Sequence, residues 1–73
     1  MHLSLSLSRL MFWTDWGKYP KIERANLDGS ERVAIVTGNL TYPNGLAIDY
    51  ESSILYWCDA GTNVIEYSDF NGE

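Results

Sequence analysis

Short stretches in which apolar and polar residues alternate recur along the chain, separated by clusters of Gly, Pro, Asn, Asp and Ser. A period of two residues is that of a half-buried strand. Leu3-Ser4-Leu5-Ser6-Leu7-Ser8 alternates strictly but is low in complexity, so a strand and an ill-fitting terminus both stay open there. Leu10 to Trp16 is the strongest strand signal of the first half, because Phe12, Trp13 and Thr14 suit a pleated surface. Trp16-Gly17-Lys18-Tyr19-Pro20 predicts a hairpin loop, since Gly17 frees the backbone and Pro20 ends ladder pairing. Lys21 to Asn26 returns as a strand, with Ile22 and Arg24 on one face and Glu23 and Ala25 on the other. Asp28-Gly29 marks a tight turn, and Arg32 to Thr37 is a further strand around Val33-Ala34-Ile35-Val36.

Gly38 to Gly45 is expected to be a loop and Leu46 to Tyr50 a short strand. Glu51-Ser52-Ser53 is a polar turn. Strands follow over Ile54 to Asp59 and Val64 to Asp69, with a turn between them and Asn71-Gly72 as the next tight-turn signal. No segment sustains a helical period, so the predicted fold class is all-β.

The pattern also repeats as a whole. Trp13 meets Trp57, Asp15 meets Asp59 and Gly17 meets Gly61 at an offset of 44. Past the loop, Ile22 meets Ile65, Glu23 meets Glu66 and Gly29 meets Gly72 at an offset of 43. The one-residue slip falls in the loop, where a deletion is best tolerated. A period of this length with about four strands is the signature of a β-propeller blade. Residues 11–43 then hold strands two to four of one antiparallel four-stranded blade, and residues 44–73 strands one to three of the next. Residues 1–10 are an atypical N-terminal segment: Leu3 to Leu7 stands where an inner strand belongs but lacks the Pro-Asn-Gly-Leu lead-in of Pro43 to Leu46.

Composition narrows the classes. The net charge is -5, from 5 Lys and Arg against 10 Asp and Glu, which argues against nucleic acid and against an anionic membrane surface. Cys58 is the only cysteine and His2 the only histidine, so neither an internal disulfide nor a Cys/His metal set is expected. No run of about 18 apolar residues is present to cross a membrane, and Met1 to Leu10 lacks the basic leading region of a signal peptide. With 73 residues and no staple, the chain is near the lower limit for an independent core. The expectation is a piece of a larger ring, under two blades, whose outer faces are bare and whose isolated form is marginal.

The candidate chemistry is that of recognition. Trp16, Tyr42 and Asn44 sit in or beside loops that open on one face of the expected blades. Exposed aromatics and an amide suit protein binding. The alternative is that the two rings close the blade edge and Asn44 makes a local turn bond. Asp15 and Asp59 end repeat-equivalent strands and are expected to accept hydrogen bonds that tie strands or blades together, with Trp13 and Trp57 structural beside them. Arg24 and Asp49 are expected to pair between adjacent blades. Asn39-Leu40-Thr41 is an N-glycosylation sequon. Cys58 is expected to be a buried free thiol, and no catalytic residue, metal or cofactor is assigned.

Phe12-Trp13-Thr14-Asp15 and Tyr56-Trp57-Cys58-Asp59 resemble the Tyr-Trp-Thr-Asp signature of the low-density-lipoprotein-receptor family propellers. Asp15-Trp16-Gly17, Pro20 to Arg24, Leu27 to Ser30 and Pro43 to Leu46 agree with it in order and spacing, so the likeness covers residues 11–73. Cys58 departs from it by replacing Thr, and Leu3 to Leu7 does not look like the family's inner strand.

The resemblance implies a fragment of a six-bladed propeller in the extracellular part of a single-pass membrane receptor, of the Wnt co-receptor or endocytic receptor kind. An epidermal-growth-factor-like module would follow it, and the membrane would be reached only through a helix outside this chain. Its partners would be protein ligands on the propeller face. In the Wnt co-receptor propellers, the positions of Trp16, Tyr42 and Asn44 look like part of a shallow ligand face that receives an Asn side chain near the Asn of Pro-Asn-Gly. Tyr42 stands where relatives often have Trp. Two other classes remain. One is a rigid spacer in the same receptor. The other is a metal-dependent lactonase-like propeller, in which Asn44 would be a calcium ligand and further oxygen ligands would come from other blades.

Overall fold

The computed structural model describes residues 10–73. The strand expected over Leu3 to Leu7 lies outside the described residues. Six strands follow in chain order: β1 (Leu10–Asp15), β2 (Lys21–Asn26), β3 (Val33–Val36), β4 (Pro43–Asp49), β5 (Ile54–Asp59) and β6 (Val64–Asp69). They form two antiparallel three-stranded sheets of order β1-β2-β3 and β4-β5-β6. Each sheet is a meander, because every connection within it is a short turn that carries at least one of Gly, Asn, Asp or Ser. The two Asx-Gly turns adopt the same backbone: Gly29 and Gly72 both have φ of 87°. Their amides donate to the carbonyls of Asn26 and Asp69, at 2.8 and 3.2 Å.

One element departs from expectation. Gly38 to Gly45 is not loop throughout, since β4 begins at Pro43 and takes in Asn44 and Gly45. A bulge between Asn44 and Ala47 absorbs the irregularity. Gly45 makes it by turning to φ of 60°, where a Cβ would be strained. The strand thus starts early because a glycine lets it bend rather than stop.

The core lies between the sheets. Strict alternation along β5 buries Leu55, Trp57 and Asp59 and leaves Tyr56 and Cys58 exposed. From the first sheet Ile22 meets them, fully buried, with Phe12, Ile35 and Val36 packed around the cluster. Arg24 seals one end by donating Nη1 to the carbonyl of Phe70 at 3.0 Å. The Phe70 ring packs against Phe12 at a tilt of 50°, 4.8 Å between centroids, and meets Tyr50 edge-on at 5.9 Å.

The far face of the second sheet is bare. Ile65 is 77% and Tyr67 71% exposed, whereas Ile22, the repeat-equivalent of Ile65, is 0% exposed. Cys58 opens on this face, so the expected buried thiol is exposed instead. The reason is the two-residue period: once Leu55 and Trp57 face the first sheet, Cys58 must face away.

Candidate functional site

The β1–β2 loop and the lead into β4 come together at one corner. The Trp16 indole Nε1 donates to the carbonyl of Pro43 at 2.6 Å. Its ring meets Tyr42 edge-on at 5.9 Å between centroids. Edge-to-face contact is the arrangement that ring quadrupoles favour. Both rings stay about half exposed, Trp16 at 54% and Tyr42 at 53%. Asn44 is also exposed, and its Oδ1 accepts the amide of Gly45 at 2.9 Å. Among the described residues its carboxamide nitrogen has no protein acceptor. The corner therefore offers two aromatic surfaces and one directional donor, with the Trp16 N–H and the Asn44 oxygen already used internally.

Asp59 holds this corner in place. Its Oδ2 accepts the amide of Thr41 at 2.8 Å and its Oδ1 that of Tyr42 at 3.1 Å. The same Oδ1 accepts Gly61 at 2.8 Å and Thr62 at 3.3 Å. One carboxylate thus serves the linker between the sheets and the β5–β6 turn. These donors, led by the Thr41 amide, hold its pKa below the ordinary aspartate value. The repeat-equivalent Asp15 is placed differently. It lies 3.8 Å from Lys21, with both side chains partly exposed, a contact of little energetic weight.

The other expected structural residues have partners of their own. Trp13 Nε1 donates to Glu23 Oε2 at 3.2 Å, and Trp57 is buried in the core. Arg24 and Asp49 do not pair. Arg24 reaches the carbonyl of Phe70, beside Asp69, whose charge it stabilises. Asp49 turns back to accept the amide of Ser52 at 3.2 Å. Asp is favoured at such positions because its short carboxylate can bond a backbone amide a few residues on. Asn39 is exposed in the linker with φ of 59°.

Glu23 was not singled out by its residue type. It is only 4% exposed, and Arg32 grips it with Nε to Oε1 at 2.8 Å and Nη2 to Oε2 at 3.1 Å. The Arg32 fork, followed by its charge, outweighs burial and lowers the Glu23 pKa. The signal lay in the repeat, where Trp13 and Glu23 recur together as Trp57 and Glu66. Among the described residues no three His, Cys, Asp or Glu side chains cluster as metal ligands.

The comparisons agree with this architecture. The repeat described as low-density lipoprotein receptor repeat class B matches residues 9–50. The vitellogenin receptor Yl of Drosophila melanogaster is 53% identical over 51 residues, which is 70% of this chain and 3% of that protein. The human low-density lipoprotein receptor-related protein 5-like protein is 51% identical over 57 residues, 78% of this chain and 23% of that protein. A chain in the crystal structure of a nidogen/laminin complex superposes with a TM-score of 0.81 at 42% identity, covering 86% of this chain and 24% of that one. The chain thus spans under a quarter of the length of these relatives. The paired meanders match part of a YWTD propeller. With more than half its length matched by the repeat, the chain belongs to the low-density lipoprotein receptor class B repeat family.

Proposed function

We propose that this YWTD segment binds a protein ligand at the Trp16–Tyr42–Asn44 corner, as part of the extracellular propeller of a receptor related to the low-density lipoprotein receptor. The observation that carries the reading is the geometry of the corner. Two half-exposed rings are fixed edge-to-face, and an exposed asparagine with an unused amide donor follows them. Rigid aromatic anchors lose little entropy on binding, and one oriented donor selects a carbonyl or side-chain amide on the partner. The ligand class is a loop of a protein that presents such an amide. Neighbouring blades, a following epidermal-growth-factor-like module and a sugar on the exposed Asn39 belong to the same proposal.

A structural reading has its own support. The Trp16 N–H is spent on Pro43 and the Asn44 oxygen on Gly45, so both residues also stabilise the corner itself. Titration with a cyclic peptide that presents an asparagine at its tip separates the two. The binding reading expects saturable binding that Asn44→Ala weakens about tenfold, the loss of one well-placed buried hydrogen bond. It also expects an unchanged near-ultraviolet circular dichroism spectrum. Equal binding by the wild-type and Asn44→Ala chains would refute it and leave the spacer role.

A further inference from the structure

Charge is distributed unevenly between the two ends of the paired sheets. The Trp16–Pro43 bond joins the β1–β2 loop to the start of β4 at one end. At the other end Arg24 reaches the Phe70 carbonyl, and the Tyr50 hydroxyl donates to the Leu10 carbonyl at 2.8 Å. Strands that alternate in direction then place Asp28, Glu31, Asp49, Glu51, Asp69 and Glu73 at this second end. These are the majority of the 10 acidic residues behind the net charge of -5, so the end with the aromatic corner is spared most of it. The charged residues at the corner end are Asp15, Lys18, Lys21 and Asp59. Asp59 is taken up by the amides of Thr41, Tyr42, Gly61 and Thr62. Asp15 and Lys21 face each other at 3.8 Å. Lys18 is left over: it is exposed, and among the described residues it forms no ion pair. Its ammonium instead lies over the Tyr19 ring, 5.6 Å from the centroid. A neutral ring attracts a cation but leaves its charge uncancelled and its N–H donors free.

We infer that Lys18, backed by Tyr19, selects a carboxylate in the bound ligand: the partner is a protein loop that carries an aspartate or glutamate close to the amide received at Asn44. The inference rests on the Trp16–Tyr42–Asn44 corner being a binding site, and adds the charge of what that site takes. Lys18 is two residues from Trp16 in the same loop, so a ligand seated on the Trp16 ring comes within reach of the ammonium. An ammonium on a flexible stem meets a carboxylate without demanding one fixed geometry. Tyr19 is 76% exposed, the most exposed aromatic ring of the corner, and gives the ligand an apolar surface to cover beside the charge. Covering it expels water and strengthens the ion pair next to it. The acids at the far end act in the same sense. They repel an acidic loop from that end and turn it toward Lys18, whereas a basic loop is drawn to the far end and meets a like charge at the corner.

Two cyclic peptides with an asparagine at the tip, one flanked by glutamates and the other by glutamines, are titrated against the 73-residue chain and its Lys18→Gln, Lys21→Gln and Asn44→Ala variants. The two lysine substitutions remove the same charge, and because Lys18 is exposed its replacement leaves the fold in place. The glutamate peptide is expected to bind the unaltered chain about three- to fivefold more tightly than the glutamine peptide, the worth of a solvent-accessible ion pair. The gain should lie mainly in the association rate and shrink as salt is added. Lys18→Gln should erase it and Lys21→Gln should keep it. Equal binding of the two peptides, with Asn44→Ala still weakening both, overturns the inference and leaves the corner as a binding site. Equal loss on Lys18→Gln and Lys21→Gln also overturns it, because the preference would then belong to diffuse charge. Absence of binding by either peptide, or binding indifferent to Asn44→Ala, overturns the inference together with the reading on which it rests.

Discussion

Asp59 accepts the backbone amide of Thr41 at 2.8 Å, across 18 positions of sequence and between two structural units. It is the last residue of β5, yet two of the four amides its side chain accepts, those of Thr41 and Tyr42, lie in the linker that leaves the first sheet. The last acid of the repeated tetrapeptide therefore fixes the path by which the chain crosses from the first sheet to the second. It also places Tyr42, whose amide it holds, against Trp16.

Asp59→Asn should loosen the corner. An amide side chain keeps one oxygen acceptor where the carboxylate offers two, and it carries no charge. Amide hydrogen exchange is expected to speed up at Thr41, Tyr42, Gly61 and Thr62, with ligand affinity falling alongside. Asp15→Asn, which disturbs only a partly exposed contact with Lys21, should leave those amides unchanged. Equal effects of the two substitutions would contradict the account.

Acid should reach the same bonds. Asp59 and Asp69 are held below the ordinary aspartate pKa by backbone amides, led by Thr41 and Glu73, and Glu23 is lowered chiefly by the Arg32 fork. A depressed folded-state pKa contributes stability that is complete above the unfolded value and is lost as pH falls through the folded one. The melting midpoint is expected to be flat between about pH 7 and 5 and to drop below about pH 4, near the ordinary carboxylate values. A drop already complete at mildly acidic pH would show that other groups control it.

Burial separates two isoleucines of the same repeat position. Ile22→Ala, in the core, is expected to cost about 2–5 kcal/mol in urea denaturation. For a domain this small that is most of its stability. Ile65→Ala, on the bare face, should stay within about 0.5 kcal/mol. A large cost at Ile65 would mean that its face is covered in solution.

Thiol chemistry reports on that face directly. Cys58 is exposed, so an aromatic disulfide reagent should label it in the native chain as fast as in the denatured one, within a factor of about three. Strong protection would show that copies of the chain stack through the second sheet.

Much of this was legible in residue order. The five strand segments over Leu10–Asp15, Lys21–Asn26, Val33–Val36, Ile54–Asp59 and Val64–Asp69 each follow from a local run of β-favouring residues bounded by turn residues. The class B repeat was visible because Trp and Asp recur at an offset of 44, and Ile, Glu and Gly at an offset of 43 past a one-residue slip in the loop. The start of β4 was not, since Pro43-Asn44-Gly45 carries every mark of a turn and becomes strand only through pairing with β5 and a bulge at Gly45. The Arg32–Glu23–Trp13 cluster was hidden for a related reason. Its members lie on three different segments, and no short window contains them.

By itself the sequence determined what is local and periodic: six extended segments, their tight turns and the repetition of one unit. Strand alternation and glycine conformational freedom act within a few residues, so they can be read in order. Only the tertiary structure decided which face of each sheet is covered and which charge meets which partner. Those outcomes depend on how two sheets stack. Stacking sent Arg24 to the Phe70 carbonyl instead of Asp49, turned Cys58 outward while burying Trp57, and brought Asp59 to Thr41.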